Sequence, residues 1–597
     1  MERETEVGTE AMGKDYYYVE EDGSIQSILE RWREKPEVGV DTETTGLDYI
    51  NDRVRLLQLA VQGEPVLVID CYTLTRRGKS ALSEFLRKPV LKIFHHAKFD
   101  LHFLESLGVA SSPPYCDTML AAQILDSGRR GKGFSLAETT QEWLGRDIDK
   151  GLQKSDWNGG LEEQQISYAA QDAAVLLPLW QRIRRELERN ELVSTTRLEH
   201  LCLGALVAME RRGMPLDLDR WEKLSLEVER NKLSAEKVLR AAIGQVFPAH
   251  DEQDPARVNI DSHPQVLAVL RRMGLPLKGT SRRELYPLAG SYPIVAALLE
   301  YRRSAKQYQA FTRSLLRYIH PRTGRLHPQY KQIGTATGRL SCRNPNLQQI
   351  PRDPAFRSCF AVSGEWCLII GDYSQIELRI LAEITQDVRM IESFQKGGDL
   401  HQLTASLILN KNLEEVTREE RNRAKAVNFG LIYAMGERSL QSYAQSAFGV
   451  EMSTSEAHIF HKRFFEAYPA VHRWQEKLRR QMPREIRTLG GRRRLWEGIP
   501  RFTELCNTPI QGTAADIIKE AMSLLPEALE GTQAWPVATV HDEIVLEARR
   551  GNAPEVAALL KNIMVKAGRR YIRTVPVEAD ITISTDWSKQ ETLYKGE

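Results

Sequence analysis

The sequence predicts an α/β domain over roughly its first 190 residues, then a charged helical segment, then a larger α+β part. Two patterns carry this reading. Near the N-terminus, short apolar runs at Val38–Val40, Leu56–Ala60 and Val66–Ile69 are followed by helical periodicity around Leu101–Leu107 and Thr118–Leu125. Further on, Cys367–Ile370 and Pro536–Glu547 read as strands on either side of a helical stretch at 414–482.

In order along the chain, residues 1–14 read as a flexible polar tail. Val38-Gly39-Val40-Asp41 reads as a strand that ends in acidic residues. From 191 to about 320 the chain is mainly helical, as in Leu192–Arg212 and Trp221–Ile243, and Gly213-Met214-Pro215 breaks the first of these. Asp251–Pro264 lacks periodicity and reads as a loop. No internal repeat or low-complexity tract interrupts the pattern.

A length of 597 residues implies several domains. Lys plus Arg total 82 against 80 Asp plus Glu, a net charge of +2. That excludes anion binding by bulk charge, so any nucleic-acid contact must come from local basic stripes. No apolar run approaches the ~18 residues of a membrane span. The opening MERETEVGTE is acidic, unlike a signal or transit peptide. The seven cysteines (71, 116, 202, 342, 359, 367 and 506) show no paired spacing, which argues against structural zinc and a disulfide framework and for a reducing compartment.

Asp41-Thr42-Glu43 places two carboxylates at i and i+2, on one side of a strand. Carboxylates that point together repel unless a cation neutralises them, and hard oxygen donors favour Mg²⁺ or Mn²⁺. Asp100 follows His95-His96-Ala97-Lys98-Phe99, and Tyr168 and Asp172 lie one helical turn apart on one face. A second constellation begins at Asp372, after the apolar Leu368–Ile370. It ends at Asp542, in the tight turn Val540-His541-Asp542-Glu543. Between them, Arg421, Lys425, Phe429 and Tyr433 step by four along one helix face. Two cations followed by two aromatics suit a polyphosphate at one end and a flat base at the other.

The first set resembles the DEDD 3′→5′ exonucleases of the tyrosine subclass, with Asp41 and Glu43 in the first motif, Asp100 in the second, and Tyr168 with Asp172 in the third. The second set resembles the family A DNA polymerases. Asp372 falls in motif A, the Arg421–Tyr433 helix in motif B and His541-Asp542-Glu543 in motif C. Thr335–Ser341, Asn344–Gln348 and Asn507–Asp516 match further blocks of that family. The resemblance covers about residues 30–590.

The resemblance implies a ribonuclease H-like α/β exonuclease domain at 15–190 and a right-hand α+β polymerase domain at 191–597. Within the latter it implies a thumb at about 215–325, a palm at about 191–214, 326–390 and 500–597, and fingers at about 391–499. It implies two Mg²⁺ ions per active site, with Mn²⁺ as a substitute. Asp372, Asp542 and Tyr373 would hold them at one site; Asp41, Glu43, Asp100 and Asp172 would hold them at the other, where Tyr168 orients water. Arg421, Lys425, His401 and Gln375 would contact the nucleotide, and Lys425 would also protonate the leaving group. Phe429 would stack on the base and discriminate against dideoxynucleotides. Tyr433 would lie beside the sugar, and Glu377 would exclude a ribose 2′-hydroxyl. Arg339, Asn507, Gln511 and His541 would contact primer and template in the minor groove. Leu47 and Phe99 would pack on a terminal nucleotide. Lys306, with Arg302, would track the duplex. The basic run Arg473, Lys477, Arg479, Arg480, Arg484, Arg487, Arg492, Arg493 and Arg494 would meet phosphates or template.

Three departures stand out: His96 where relatives usually carry Asn, Ala434 where they usually carry Gly, and Thr503 where many carry Arg. Nothing before residue 30 could hold a 5′-nuclease domain, so none is expected. The expected partners are primer–template DNA and deoxynucleoside triphosphates, with no membrane. A cytoplasmic monomer acting in replication or repair is expected, in a bacterium or a virus-infected cell. Two other readings stay open: a polymerase that also copies RNA, and an exonuclease whose C-terminal part only binds nucleic acid.

Overall fold

The computed structural model describes residues 15–129, 133–148, 151–152, 155–247, 257–590 and 592–595. The expected tail at 1–14 and residues 251–256 of the expected loop Asp251–Pro264 lie outside these, and the loop's last two residues open the helix His263–Arg272.

The N-terminal part is built on a six-stranded mixed sheet. Its spatial order is Tyr16–Val19, Val66–Asp70, Val54–Ala60, Glu37–Thr44, Leu91–Phe94 and Tyr115–Asp117. Val54–Ala60 pairs antiparallel with both neighbours, and the remaining pairs are parallel. Both faces are covered, so Val54–Ala60 is buried along its whole length. One face packs on the helix Ala97–Leu107 and the other on Glu163–Ala174 and Leu176–Arg189. Gly39 allows the second approach, since a Cβ there would lie 2.9 Å from a Leu177 methyl and 3.1 Å from the Ala173 carbonyl. Asp41 and Glu43 stand in the C-terminal half of Glu37–Thr44, opposite Gln58 and Leu56.

The C-terminal part centres on a five-stranded antiparallel sheet, ordered Ala534–Val540, Glu543–Arg549, Trp366–Tyr373, Ala579–Ser584 and Thr592–Lys595. The helices Phe502–Ala528 and Ala553–Arg569 pack against each other, and the second lies on the sheet. Gly371 permits that contact, because a Cβ there would lie 2.6 Å from Met564 sulfur. The segment 414–482, expected to be long helices, forms four of them, Arg418–Ile432, Glu437–Phe448, Thr454–Ala467 and Pro469–Gln481. The first starts at a capping box, in which Thr417 accepts from Glu420 N–H and Glu420 accepts from Thr417 N–H.

The helix Val193–Arg212 joins the two parts. Leu203 and Val207 belong to the N-terminal core, while Cys202, Ala205, Leu206 and Met209 belong to the C-terminal one. Beside it lies a buried charge cluster. Arg492 pairs with Glu199 and with Asp516 at 2.7 Å, and Lys519 pairs with Glu199 at 2.5 Å. Among the described residues no helix is long and apolar enough to cross a membrane.

Candidate active sites

The N-terminal site forms where the central strand faces the helix Glu163–Ala174. That helix has its own capping box between Glu162 and Gln165. Asp41, Glu43 and Asp172 each offer one oxygen, and the three lie within 4.8 Å of one another. Such an all-oxygen set fits a hard divalent cation. Asp100, the fourth expected ligand, is not in this group. It is buried on the helix Ala97–Leu107 and accepts from Thr42 Oγ1 at 2.7 Å. Its charge still acts on Asp41 and Glu43.

Burial, and then the nearby charges of Asp100 and Asp172, push the Asp41 and Glu43 carboxyls well above the usual range. Burial raises Asp100 to about 8 and Asp172 to about 6, and a hydrogen bond from Tyr168 opposes the second shift. Leu47 is 82% exposed beside this site's strand, and Phe99 is half-buried, 4.8 Å from Phe103. His96 begins the Ala97–Leu107 helix with φ at 74°. Asn and His are among the residues enriched in that left-handed region, which gives the departure a backbone rationale. Asp117 completes this helix start by accepting from His96 N–H at 3.1 Å and Ala97 N–H at 2.9 Å.

The second site lies at one end of the antiparallel sheet. Asp372 stands opposite Glu543, and the hairpin turn that joins Ala534–Val540 to Glu543–Arg549 carries His541 and Asp542. The Tyr373 N–H donates to the Asp542 carbonyl at 3.3 Å. Tyr373's phenol is buried and donates to Met564 O at 2.7 Å, so only its main chain is available to a cation. Burial and then Asp372 push Asp542 up to about 7, and burial raises Asp372. Glu543 is committed elsewhere: it accepts from Trp587 Nε1 at 2.6 Å and pairs with Arg357 at 3.3 Å and Lys589 at 2.8 Å.

The motif B helix presents its residues unequally. Lys425 is half-buried, and burial, with Arg352 and Arg421 nearby, lowers its pKa. Arg421 is tied to Asp399 at 2.5 Å. Asp399 also caps the helix Leu400–Leu409 through His401 N–H and Gln402 N–H. His401, expected at a phosphate, is only 2% exposed. Its Nδ1 lies 2.9 Å from Asn428 and its ring 5.7 Å from Phe429. In this conformation it packs beneath Phe429 instead of lining an open surface. Tyr433 caps the helix, and its hydroxyl donates to Glu377; Arg339 pairs with the other Glu377 oxygen. Gln511 also reaches Tyr433. Gln375 and Asn507 have buried side-chain oxygens without a partner. Gln375 and His541 both adopt positive φ, 52° and 59°.

Two basic expectations need correction. The run from Arg473 to Arg494 is not one continuous stripe. Arg492 is consumed by Glu199 and Asp516, and Arg493 donates to Ser127 at 2.9 Å and Asn190 at 2.6 Å on the N-terminal part. Arg487 donates to the Asn190 carbonyl at 3.0 Å. Arg494 donates to Thr508 at 2.9 Å, lies 3.4 Å from Glu504 and sits over the Trp496 ring. Arg302 is held by Thr280, whereas Lys306 is exposed in the last turn of Pro293–Gln307. The motif-based reading also missed Arg352, Arg357, Trp587 and Lys589. Arg352 could have been flagged by its place just after the Asn344–Gln348 block; Lys589 carries no motif.

A family model described as DNA polymerase family A matches residues 228–589, and one described as 3′-5′ exonuclease matches 16–188. The chain belongs to DNA polymerase family A and carries a 3′-5′ exonuclease domain. Among relatives, a DNA polymerase I of Aquifex aeolicus is 34% identical, over 96% of this chain and 100% of its own length. The thermostable DNA polymerase I of Thermus aquaticus is 36% identical, over 81% of this chain but 56% of its own length. The DNA polymerase I of Pseudomonas aeruginosa is 31% identical, over 98% of this chain and 67% of its own. The solved POL domain of Pol1 from M. smegmatis, in complex with DNA primer-template and dNTP, superposes with a TM-score of 0.82. It is 27% identical, covering 96% of this chain and 99% of that one.

Proposed function

We propose that this chain extends a primer 3′ end on a DNA template with deoxynucleotides at Asp372 and Asp542, and trims 3′ ends at Asp41, Glu43, Asp100 and Asp172. We read 15–190 as the trimming domain and 191–597 as the polymerising one, with the palm, thumb and fingers divided as given above. The observation that carries the reading is the strand pair that sets Asp372 opposite Glu543, with Asp542 in the adjoining turn.

Two divalent cations, Mg²⁺ with Mn²⁺ as a substitute, would activate the attacking oxygen and offset charge on the triphosphate. Asp372 and Asp542 would hold them. Lys425 contacts the triphosphate and gives its proton to the departing pyrophosphate, a role favoured by its lowered pKa. Arg421 binds phosphate by exchanging its bond to Asp399. Phe429 stacks on the base, and Glu377, fixed between Arg339 and Tyr433, fills the space of a 2′-hydroxyl. Asn507 and Gln511 meet the duplex from the helix Phe502–Ala528. At the other centre, Tyr168 orients the attacking water beside Asp172. A role in DNA replication or repair accords with this chemistry.

The reading is tested by single-turnover incorporation. Asp542→Asn should lower the rate by about a thousandfold or more, while trimming persists. Asp41→Ala with Glu43→Ala should do the reverse. Loss of both activities in either variant sinks the two-centre reading.

A further inference from the structure

The stretch that follows the strand Ala579–Ser584 returns a cation to the polymerase centre. Lys589 Nζ lies 2.8 Å from Glu543 Oε2 and 3.3 Å from Asp372 Oδ2. Its surroundings fix it there. Trp587 is fully buried and donates to Glu543 Oε1. Arg357 stacks 4.3 Å from the Trp587 ring centroid and pairs with Glu543. Asp586 accepts from both the N–H and the hydroxyl of Ser588, at 2.8 and 2.6 Å. Lys589 itself takes a φ of 65°, a conformation that lysine rarely adopts and that persists only when its neighbours over-determine it.

The arrangement divides the labour among the acids. Glu543 spends its oxygens on Trp587, Arg357 and Lys589. Asp372 shares only one oxygen with the ammonium, at a longer distance. Without a counter-charge, Asp372, Asp542 and Glu543 would repel one another across one turn. We propose that Lys589 is a positioning residue of the polymerase centre: its ammonium holds Asp372 in place before a divalent cation arrives, and sets how much cation the centre needs to load. This rests on reading Asp372 and Asp542 as the cation ligands. An ammonium on a ligand carboxylate lowers that carboxylate's affinity for a cation, so charge at position 589, not bulk, decides the loading threshold.

The test uses the full chain carrying Asp41→Ala and Glu43→Ala, which removes the other acidic cluster. Mn²⁺ is titrated without nucleotide, and free Mn²⁺ is read by electron paramagnetic resonance. Lys589→Met and Lys589→Gln should each bind Mn²⁺ about tenfold more tightly than the parent. Lys589→Arg should stay within about twofold, because it keeps the charge. The Mg²⁺ concentration for half-maximal extension should fall in the two neutral variants. Equal or weaker Mn²⁺ binding in both neutral variants overturns the proposal, as does Lys589→Arg behaving like them. If the parent and its Asp542→Asn variant bind Mn²⁺ alike, the ligand reading fails, and this proposal fails with it.

Discussion

The Tyr433 hydroxyl donates to Glu377, and so joins the end of the motif B helix to the helix Ile376–Thr385. Arg339 pairs with the second Glu377 oxygen, so the carboxylate is clamped from two sides. A side chain that excludes a substrate oxygen must itself be unable to swing away, and this clamp supplies that rigidity.

Glu377→Ala should therefore relax sugar selection. The ratio of kcat/KM for deoxy- over ribonucleotides should fall by about tenfold to a hundredfold, measured on one primer–template. Arg339→Ala should lower the ratio by a smaller factor, since Tyr433 still holds Glu377. An unchanged ratio in Glu377→Ala would remove the residue from sugar selection.

The charge cluster under the helix Val193–Arg212 makes a different prediction. Arg492 and Lys519 both depend on Glu199, which is fully buried. Glu199→Ala would leave two buried cations short of a partner and should cost about 3–5 kcal/mol in denaturant unfolding. Arg492→Ala should also destabilise. Weakened DNA binding at unchanged stability would return Arg492 to the basic stripe that the sequence suggested.

Ala434 follows the motif B tyrosine with φ at 56°. An alanine pays for that left-handed conformation, and glycine does not. Ala434→Gly should raise stability by up to about 1 kcal/mol, read from the denaturant midpoint. A loss of stability would mean that the methyl's contacts outweigh the backbone strain.

The exonuclease carboxyls give a pH dependence of definite sign. Asp100 at about 8 and Asp172 at about 6 sit above their unfolded values, so the native state binds the extra protons. Their contribution to metal-free stability is complete below about pH 4 and is lost as pH rises through about 6 and then about 8. Asp542, at about 7, acts in the same direction. A divalent cation replaces those protons. The gain in Tm on adding Mn²⁺ in place of a chelator should thus grow by about 2–4 °C between pH 6 and 8.5. An equal gain at both pH values would contradict these assignments.

What the sequence made legible follows from distance along the chain. Asp41 and Glu43 share a strand face, and Tyr168 and Asp172 share a helix face, so spacing alone placed each pair. The Lys425 helix and the turn at Asp542 were readable for the same reason. The partners of basic residues were not. Arg492 meets Glu199 from 293 positions away, and Arg339 meets Glu377 from 38 away. A local run of arginines looks the same whether it faces phosphate or a buried carboxylate. Lys589 was invisible for a related reason: only the return of the stretch after Ala579–Ser584 past Asp372 gives it a role. His401 was placed at the nucleotide by resemblance alone, and only the folded packing of Asn428 and Phe429 against it shows that it is closed over.

The central claim is that one chain holds two separate centres that act in turn on a primer end. The most direct measurement is extension of a primer with a mismatched 3′ end, with Mg²⁺ and all four deoxynucleotides. The parent, Asp372→Ala, and Asp41→Ala with Glu43→Ala are followed side by side. The parent should trim and then extend, Asp372→Ala should only trim, and the double variant should extend matched ends without trimming mismatched ones. A parent that extends without trimming, or trims without extending, would contradict the two-centre account.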